Sequence, residues 1–398
     1  MKGVFMNFKE EAEQLSPYIR DMRRYFHQHG ELSFREKETT ARIAEELAPL
    51  GYEITTFPDY FGLIAVLKGS AEGKTVLLRA DIDALPIREE TGAPFASETE
   101  GIMHACGHDC HTAMLLGAAK LLAAHREEIP GTVMLLFQSA EESGHGMQYY
   151  LDHHCLDAAD AAFGFHMSPD IPKGTISIDD GPLMASCTDF RCIVRGAAAH
   201  GSTPHLGHDA IVAASSILLN IQTIVSRLNN PLSPLVVTVG MVRGGKQFNI
   251  ICDEVTMEGT IRSYDREMSR RAPELFREIA ETTAKALGCQ AEFIPVSFEP
   301  VTANEHPALT ETARRAAVSL FGESILRSNP RSMGSEDFSL LMEKVPSVFA
   351  RVGVRDEAAG MTWPLHSKNF CPDDSILWHG AALHAQFALD FLSGKGNQ

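Results

Sequence analysis

The sequence lacks long apolar runs, an excess of basic residues and a dense cysteine pattern. No run of about 18 apolar residues could span a bilayer, and the N-terminal stretch MKGVFMNFKEEAEQL has no apolar core typical of a secretory signal. Lys and Arg number 35 against 52 Asp and Glu, and the net charge of −17 repels phosphate groups. The eight cysteines are scattered, which favours reduced thiols. We therefore expect a cytoplasmic protein that binds neither membranes nor nucleic acids.

The chain is long enough for more than one folded domain. Its 398 residues are 44% hydrophobic and 22% charged, a balance typical of folded soluble proteins. Between residues 16 and 137, short apolar runs alternate with helical patterns, which predicts an α/β sheet covered by helices. From about residue 187 to 296 the order is strand, helix, strand, strand, helix, strand, as in a ferredoxin-like unit. Helical and strand signals then resume, as though the first sheet were being completed.

The periodicity and the turn residues also predict where individual elements lie. Helices are expected over residues 16–29, 36–50, 112–125, 209–228 and 267–287. Strands are expected over residues 63–67, 76–79, 133–137, 189–194, 235–242, 254–262 and 291–296.

The segment from Arg79 to His111 concentrates side chains that bind divalent metals. It reads RADIDALPIREETGAPFASETEGIMHACGHDCH and includes Asp81, Cys106 and His108. Thiolate, imidazole and carboxylate groups are the ligands that Zn²⁺ and similar ions prefer. Cys106 and His108 are two residues apart on a predicted loop, so both can reach one site. Taken alone, this spacing also fits a buried cysteine and a hydrogen-bonded core histidine.

Three later segments carry further candidate residues. FQSAEESGHG places Glu141 and Glu142 directly after an apolar strand, and on extended backbone their side chains should point in opposite directions. One carboxylate could then bind metal while the other faces a substrate, and a solvated acidic turn is the alternative. His166 lies at another strand end in AAFGFHMSP, and His366 lies on a loop in TWPLHSKNF. Each histidine by itself also fits a structural role.

Together and in this order, these segments resemble the M20 family of metallopeptidases and amidohydrolases. The resemblance runs from RRYFHQHGELSF (residues 23–34) to PLHSKNFCPDD (residues 364–374) and includes the CGHD, AEE, GFH and PLHS elements. Within this family, the sequence most resembles the branch that contains hippurate hydrolase, aminoacylases, N-acetyl-diaminopimelate deacetylases and auxin-conjugate hydrolases. It implies a two-domain α/β protein, in which a zinc-peptidase-like catalytic domain (1–185 and 299–398) carries an inserted ferredoxin-like (βαββαβ) lid and dimerisation domain (186–298).

The resemblance also implies a role for each candidate residue. Two divalent ions per subunit, Zn²⁺ or Mn²⁺ with Co²⁺ or Ni²⁺ as alternatives, would be bound by Cys106, His108, Glu142, His166 and His366. Glu141 would act as the general base, and Asp81 would be a carboxylate that orients a ligand. His200 would reach the active site of a neighbouring subunit in a homodimer or a dimer-based tetramer. Asn249 and Arg262 would bind the carboxylate of the substrate.

The reaction expected from this resemblance is metal-dependent hydrolysis of a small N-acyl amino acid. An N-acetyl, N-benzoyl or similar amide would give a carboxylic acid and a free amino acid. A dipeptidase or carboxypeptidase of the same superfamily is the alternative, and it would differ in whether the acyl group carries a free amine. A non-catalytic metal-binding or thiol-sensing protein is a third interpretation. The presence of both Glu141 and Glu142 argues against it, because metal storage needs no base.

Overall fold

The structure, a computed structural model, describes residues 7–394 of the chain. Residues 1–6, part of the N-terminal stretch that entered the prediction of a cytoplasmic protein, and residues 395–398 lie outside that range. The α-helices are α1 (Phe8–Gln14), α2 (Ser16–Gln28), α3 (Lys37–Leu47), α4 (His108–Ala124), α5 (Gly146–Asp152), α6 (Ala210–Asn220), α7 (Arg266–Ala286), α8 (Pro307–Phe321), α9 (Phe338–Met342) and α10 (Leu377–Leu392). The strands are β1 (Glu53–Thr56), β2 (Gly62–Lys68), β3 (Ala71–Asp81), β4 (Pro130–Gln138), β5 (Ala161–Pro172), β6 (Ile176–Ser177), β7 (Gly181–Met184), β8 (Ser186–Arg195), β9 (Leu235–Gly244), β10 (Glu254–Ser263), β11 (Gln290–Glu299), β12 (Thr302–Asn304) and β13 (Ser347–Arg355).

The chain forms two compact units. Of the described residues, the first contains 7–181, 303–330 and 340–394, and the second contains 182–302 and 331–339. The predicted domain ranges differ from these units chiefly at residues 331–339, which the prediction assigned to the catalytic domain. Within the second unit, Arg262 Nη1 donates a hydrogen bond to the Met333 carbonyl oxygen at 3.0 Å. The division into a catalytic domain and an inserted lid domain stays a prediction.

The first unit is built on a seven-stranded sheet with the strand order β1-β2-β4-β3-β5-β13-β6. The neighbours β4, β3, β5 and β13 run parallel, and the outer strands pair antiparallel. The parallel strands are buried almost throughout, because a parallel sheet covered by helices on both faces needs apolar residues on both sides of each strand. Helix α4 is buried over nearly its whole length and packs against α2, α10 and β3.

The second unit has a four-stranded antiparallel sheet with the strand order β11-β8-β10-β9. Along the chain the order is β8, α6, β9, β10, α7, β11, so the predicted ferredoxin-like order of strands and helices is confirmed. Two helices, α6 and α7, pack on this sheet. Strand β9 lies at one edge and pairs with β10, and β11 lies at the other edge.

One helical stretch of the second unit is unusually apolar. Residues Ala210–Leu228 are long enough to cross a membrane and have a mean hydropathy of 1.5, although Ser, Asn, Gln and Thr interrupt the apolar run. The stretch consists of α6 and a π-helical turn over Ile224–Leu228. Its residues Ala214, Ile217 and Ile224 are buried in the core beneath the sheet. One face of the stretch therefore packs in the core of the second unit, whereas the opposite face, which includes Val212 and Leu219, is exposed.

Candidate metal centre and active site

The candidate residues of the first unit lie at one edge of its sheet. Asp81 is the last residue of β3, Glu141 and Glu142 follow the end of β4, and His166 lies at the middle of β5. These three strands run parallel, so their carboxyl ends meet at the same edge. This edge is where open α/β sheets bind ligands.

Helix α4 supplies His108, and it begins earlier than the sequence predicted. The predicted start near Thr112 is wrong, because α4 begins at His108, directly after Gly107 in the left-handed conformation (φ 92°). The Thr112 hydroxyl donates to the carbonyl oxygen of His108 at 2.8 Å and so closes the first turn. Polar residues in this turn interrupt the apolar periodicity that normally identifies a helix. His108 is therefore held by a buried helix, whereas the sequence indicated a loop.

The Glu141 and Glu142 carboxylates are presented by a tight turn. Ala140 adopts the left-handed conformation (φ 61°), and Glu141–Ser143 form one turn of 3₁₀-helix. The expectation of extended backbone is wrong here, since Glu141 and Glu142 lie in this helical turn. As a result both carboxylates approach the same imidazole. The Nε2 atom of His108 lies 4.0 Å from Glu141 Oε2 and 3.9 Å from Glu142 Oε1.

Cys106 lies at the centre of the cluster. Its Sγ atom is 3.2 Å from His166 Nε2 and 3.3 Å from His366 Nε2. His366 Nε2 is also 3.3 Å from Glu142 Oε1. Cys106, His108 and His166 form one group of donor atoms that could hold an ion, and Cys106, Glu142 and His366 form a second. All five residues predicted as ligands are therefore brought together.

The donor atoms fit divalent cations. The Nε2 atom of His108 and the Oε1 atom of Glu142 are buried, and neither makes a hydrogen bond in the part of the chain that the structure describes. Leaving buried polar atoms without partners costs free energy, and a cation bound between them would remove that cost. The His166 Nδ1–H donates to the Met167 carbonyl oxygen at 2.7 Å, so the lone pair of Nε2 is directed to Cys106.

Asp83 is a site residue that belongs to the metal-binding segment of the sequence but was assigned no role there. Its Oδ1 atom lies 3.1 Å from Nδ1 of His108, and this contact leaves Nε2 of the same ring for the donor cluster. Asp81 was predicted to orient a ligand, but it contacts Arg79 and His111, and its Oδ2 lies 3.6 Å from His108 Nε2. The alternation in RADIDAL, which places Asp83 two residues after Asp81, is the signal that could have found it.

Electrostatics at the cluster favour bound positive charge. Burial opposes a charge on His108, but the carboxylates of Asp81, Asp83 and Glu142 outweigh burial and raise its pKa to about 10. Burial and the neighbouring Glu142 and Glu141 carboxylates raise the pKa of the Cys106 thiol well above its usual value. The carboxylates thus hold an extra proton in the site, and a divalent cation could take the place of such protons.

The other three candidate residues lie in the second unit. His200 is exposed, and its Nδ1 accepts a hydrogen bond from the Ser202 backbone N–H at 3.1 Å. Asn249 is exposed and lies close to His200, since its carbonyl oxygen accepts from the Gly201 N–H at 2.8 Å. Arg262 is half-buried on β10.

Comparisons with known proteins give the same assignment over nearly the whole chain. The profile of peptidase family M20/M25/M40 matches residues 77–390. N-acetylcysteine deacetylase of Bacillus subtilis is 39% identical over 373 residues, which are 94% of this chain and 96% of that protein. Thermostable carboxypeptidase 1 of Saccharolobus solfataricus is 36% identical over 391 residues, 96% of this chain and 98% of that protein.

The fold is also similar to that of a solved structure. A Bacillus subtilis protein described as a dinuclear metal binding peptidase from the M20 family is 37% identical, with a TM-score of 0.82, over 96% of this chain and 99% of that chain. The molecule is therefore a two-domain α/β hydrolase that acts on amide bonds. It belongs to peptidase family M20/M25/M40.

Proposed function

We propose that this protein is a metal-dependent amidohydrolase that cleaves N-acyl amino acids to a carboxylic acid and a free amino acid. The observation that carries the proposal is the convergence of five metal-binding side chains with one further carboxylate, Glu141. A storage or sensing protein has no use for that sixth group, whereas hydrolysis needs a base beside the metal. The 39% identity to a deacetylase of an N-acetylated amino acid supports the substrate class.

The proposed ligands are Cys106, His108, Glu142, His166 and His366, and they would hold two divalent ions. When bound, the metal acts as a Lewis acid and lowers the pKa of water from 15.7 to about 7. A thiolate and imidazole nitrogens favour zinc, and manganese, cobalt and nickel are the alternatives. The related dinuclear metal binding peptidase supports the number of ions. Asp83 would keep the His108 ring in the orientation that binds metal.

Glu141 is the proposed general base and acid. Its side chain is about one-tenth exposed, so substrate water can reach it while the surrounding protein limits its motion. The carboxylate would take a proton from the attacking water and later give it to the departing amine. Because the water attacks the acyl carbonyl, the carbon becomes tetrahedral and its oxygen gains negative charge, which requires a hydrogen-bond donor.

His200 is the proposed donor to that oxygen. The Ser202 N–H donates to Nδ1, so the proton of the neutral ring lies on Nε2, and Nε2–H can donate to an oxyanion. Asn249, close to His200, and Arg262 would bind the substrate carboxylate. Arg262 Nη1 donates to the Met333 carbonyl oxygen and to the Ser335 hydroxyl, and the guanidinium has further N–H donors on Nε and Nη2.

We further propose that the protein is a homodimer, or a tetramer of such dimers, in which His200 acts in the site of the other subunit. Exposed large apolar side chains concentrate in residues 206–250, which we call the apolar segment, and they include Leu232 (91% exposed) and Phe248 (95% exposed). The segment contains the edge strand β9, whose outer N–H and C=O groups could pair with β9 of a second copy. A two-fold axis would then bury both apolar segments.

The cytoplasm is the proposed location. All eight cysteines are free thiols in the structure, and six of them are buried. Free thiols persist in reducing compartments, which supports this location.

A substrate panel with metal analysis tests the proposed function. The purified protein, loaded in turn with Zn²⁺, Mn²⁺, Co²⁺ and Ni²⁺, would be assayed on N-acetyl, N-benzoyl and indole-acyl amino acids. The matched controls are the same compounds with the amino-acid carboxylate converted to an amide, which should be poor substrates if Asn249 and Arg262 bind that carboxylate. Two bound ions and selective cleavage of the acids are expected. Absence of cleavage with every metal would overturn the proposal.

Carboxypeptidase or dipeptidase activity is the second candidate. The observation that favours it is the 36% identity to a thermostable carboxypeptidase. Both reactions use the same base and the same metal ligands, and they differ in whether the acyl group carries a free amine. Dipeptides in the same panel, each matched to its N-acetyl counterpart, separate the two candidates by their kcat/KM values.

A further inference from the structure

The turn that presents Glu141 and Glu142 is held through its own backbone. Three N–H groups within four consecutive residues donate to side chains that come from three other parts of the first unit. These bonds run from Ser139 to the Tyr150 hydroxyl (3.2 Å), from Ala140 to Glu36 Oε1 (2.8 Å) and from Glu142 to Asp83 Oδ2 (3.0 Å). The direction of the two carboxylates therefore depends on side chains outside the turn.

The hydrogen bond from Ala140 to Glu36 is donated by a strained residue. Ala140 has φ 61° and ψ 36°, a conformation that its Cβ atom makes unfavourable. Such residues persist where the surrounding structure over-determines them, and they concentrate at functional sites. Without an acceptor for its N–H, Ala140 would gain by leaving the left-handed region. Glu141 and Glu142 would then move with it, because they follow directly in the chain.

Glu36 does not stabilise the helix that follows it in the chain. It precedes α3 and is fully buried, but its side chain does not cap that helix. The capping bonds come from Glu31, which accepts from the N–H groups of Glu38 (3.2 Å) and Thr39 (2.8 Å). Glu36 also makes no ion pair within residues 7–394, although burying a carboxylate without a cation is costly. Its hydrogen-bond acceptor is instead used 104 residues further along the chain, at Ala140.

We propose that Glu36 is a positioning residue for amide hydrolysis, which acts by holding the Ala140 N–H and so fixing the turn that presents Glu141 and Glu142. The proposal rests on the proposed roles of those two carboxylates as base and metal ligand. Glu36 itself touches neither metal nor substrate. It should therefore affect both turnover and metal affinity, since the turn carries one residue for each.

Three variants and a matched control test the proposal. Glu36→Gln keeps an oxygen acceptor at the same distance, and Glu36→Asp keeps the carboxyl group but withdraws the acceptor by one methylene. The double variant Glu36→Asp/Ala140→Gly removes the Cβ strain, because glycine adopts the left-handed conformation readily. The control is Thr40→Val, one helical turn further on. Thr40 donates to the Glu36 carbonyl oxygen and accepts from the Gly62 N–H, and it makes no hydrogen bond to the turn.

The readouts are the dissociation constant of Zn²⁺ in competition with a chelating dye, kcat on N-acetyl-L-methionine at saturating metal, and the Tm of the metal-free protein. Glu36→Asp should weaken zinc binding and lower kcat, each by about 10 to 100-fold, as is typical when a group supporting a metal site is moved. Glu36→Gln should stay close to wild type, and Ala140→Gly should recover much of the loss in Glu36→Asp. Thr40→Val should lower Tm and leave zinc affinity and kcat unchanged.

A purely structural role predicts a different pattern. If Glu36→Asp lowers Tm but leaves zinc affinity and kcat at wild-type values, as in Thr40→Val, the positioning role is wrong. Loss in Glu36→Gln as large as in Glu36→Asp, or no recovery with Ala140→Gly, would also overturn it. The zinc titration keeps this inference separate from the proposed function. If wild type binds zinc but hydrolyses no N-acyl amino acid, the function fails, and the zinc affinities of the variants alone decide the role of Glu36.

Discussion

The two compact units of this protein are opposite in what they bury and what they expose. The first unit buries charge: Arg23 and Asp109 are fully buried and lie 2.8 Å apart, and Asp81 is fully buried against Arg79. The second unit exposes apolar surface, chiefly in the apolar segment. Buried charges cost free energy unless they are paired, and exposed apolar groups cost free energy unless something covers them.

This difference indicates how each unit contributes to function. In the first unit the buried charges are held by specific partners, so the candidate ligands are already oriented before metal or substrate binds. In the second unit the candidate residues His200 and Asn249 are exposed, and the apolar side chains near them are exposed to solvent as well. The first unit therefore supplies all five candidate metal ligands, whereas we expect the second to depend on another copy of the chain.

The largest expected effect is on the turnover that depends on Glu141, the proposed general base in the first unit. Glu141→Gln should lower kcat by about 10² to 10⁴-fold, because general acid and base groups contribute that much, while two metal ions stay bound. Steady-state kinetics and metal analysis of the same preparation measure both quantities. His166→Ala is the control and should lose metal and activity together. Metal loss in Glu141→Gln, or near-normal turnover, would show that Glu141 is not the base.

The next effect concerns His200 of the second unit. His200→Ala should lower turnover by about 10² to 10³-fold with metal retained, the usual loss when one oxyanion donor is removed. Mixing it with Glu141→Gln gives a sharper test. In a mixed dimer, one site would combine Glu141 from one subunit with His200 from the other, and the second site would carry both defects. Activity should return on co-expression, to at most about half of wild type per mixed dimer if the sites are independent.

The mixing experiment has its own control. Mixed dimers are isolated with two different affinity tags, so that their formation is established before activity is measured. Mixed dimers as inactive as either parent would contradict a role of His200 in the other subunit. Full activity of His200→Ala alone would contradict any role in catalysis.

The edge strands of the second unit allow a matched test of the proposed dimer. Val242 lies on β9 and is 50% exposed, and Val296 lies on β11 at the opposite edge of the same sheet and is 54% exposed. Val242→Glu should convert dimers to monomers and lower turnover, because charge at a paired edge prevents its association. Val296→Glu should leave the dimer intact. Sedimentation velocity distinguishes these outcomes, and equal behaviour of the two variants would place the interface elsewhere.

The strands and helices were predictable to the extent that burial gives them a simple pattern. The expected strands at 63–67 and 133–137 are the buried centres of β2 and β4. The strand expected at 76–79 is the buried part of β3, whose first residues are exposed and carry no apolar signal. Local periodicity does not reveal where a polar first turn begins, and for that reason the start of α4 was missed.

The candidate site was predictable only in part, for a related reason. The donors Cys106 and His108 stand close together in sequence, and their chemistry is visible in the motif. Asp83 and Glu36 make their contacts with residues 25 and 104 positions away, at His108 and Ala140. The alternation in RADIDAL marks Asp83 as a candidate residue, but no local pattern encodes its contact with His108 or the contact of Glu36 with Ala140, since both arise only when distant segments of the first unit come together.

A smaller effect is expected at the thiol of the first unit. Cys106 must lose its proton to bind metal, and the bound metal should then block its alkylation, whereas removal of the metal by a chelator should allow it. Cys155, which is partly exposed and forms no part of the donor cluster, should be labelled equally with and without metal. Mass spectrometry of each cysteine measures the rates. Equal labelling of Cys106 in both states would remove it from the proposed ligands.

The smallest expected effect tests the cost of burying a titratable group in the first unit. Burial and the neighbouring His111 lower the pKa of His384 to about 3, and neither ring nitrogen makes a hydrogen bond among the described residues. Its ring packs against Phe165, with the ring centroids 4.3 Å apart. Unfolded histidine has a pKa near 6.5 and therefore takes up a proton at a pH where the folded protein does not. The stability that His384 contributes is fully present above pH 6.5 and is lost as the pH falls from 6.5 toward 3, so the loss is about 2 kcal/mol at pH 5.

His384→Leu should remove this dependence, and the variant should lose about 2 kcal/mol less than wild type between pH 7.5 and pH 5. Urea unfolding of the metal-free proteins measures the difference, and the comparison at pH 7.5 isolates the change in packing. If both proteins lose the same stability over this range, His384 is not buried in its neutral form, and the contrast between the two units is weaker than the structure indicates.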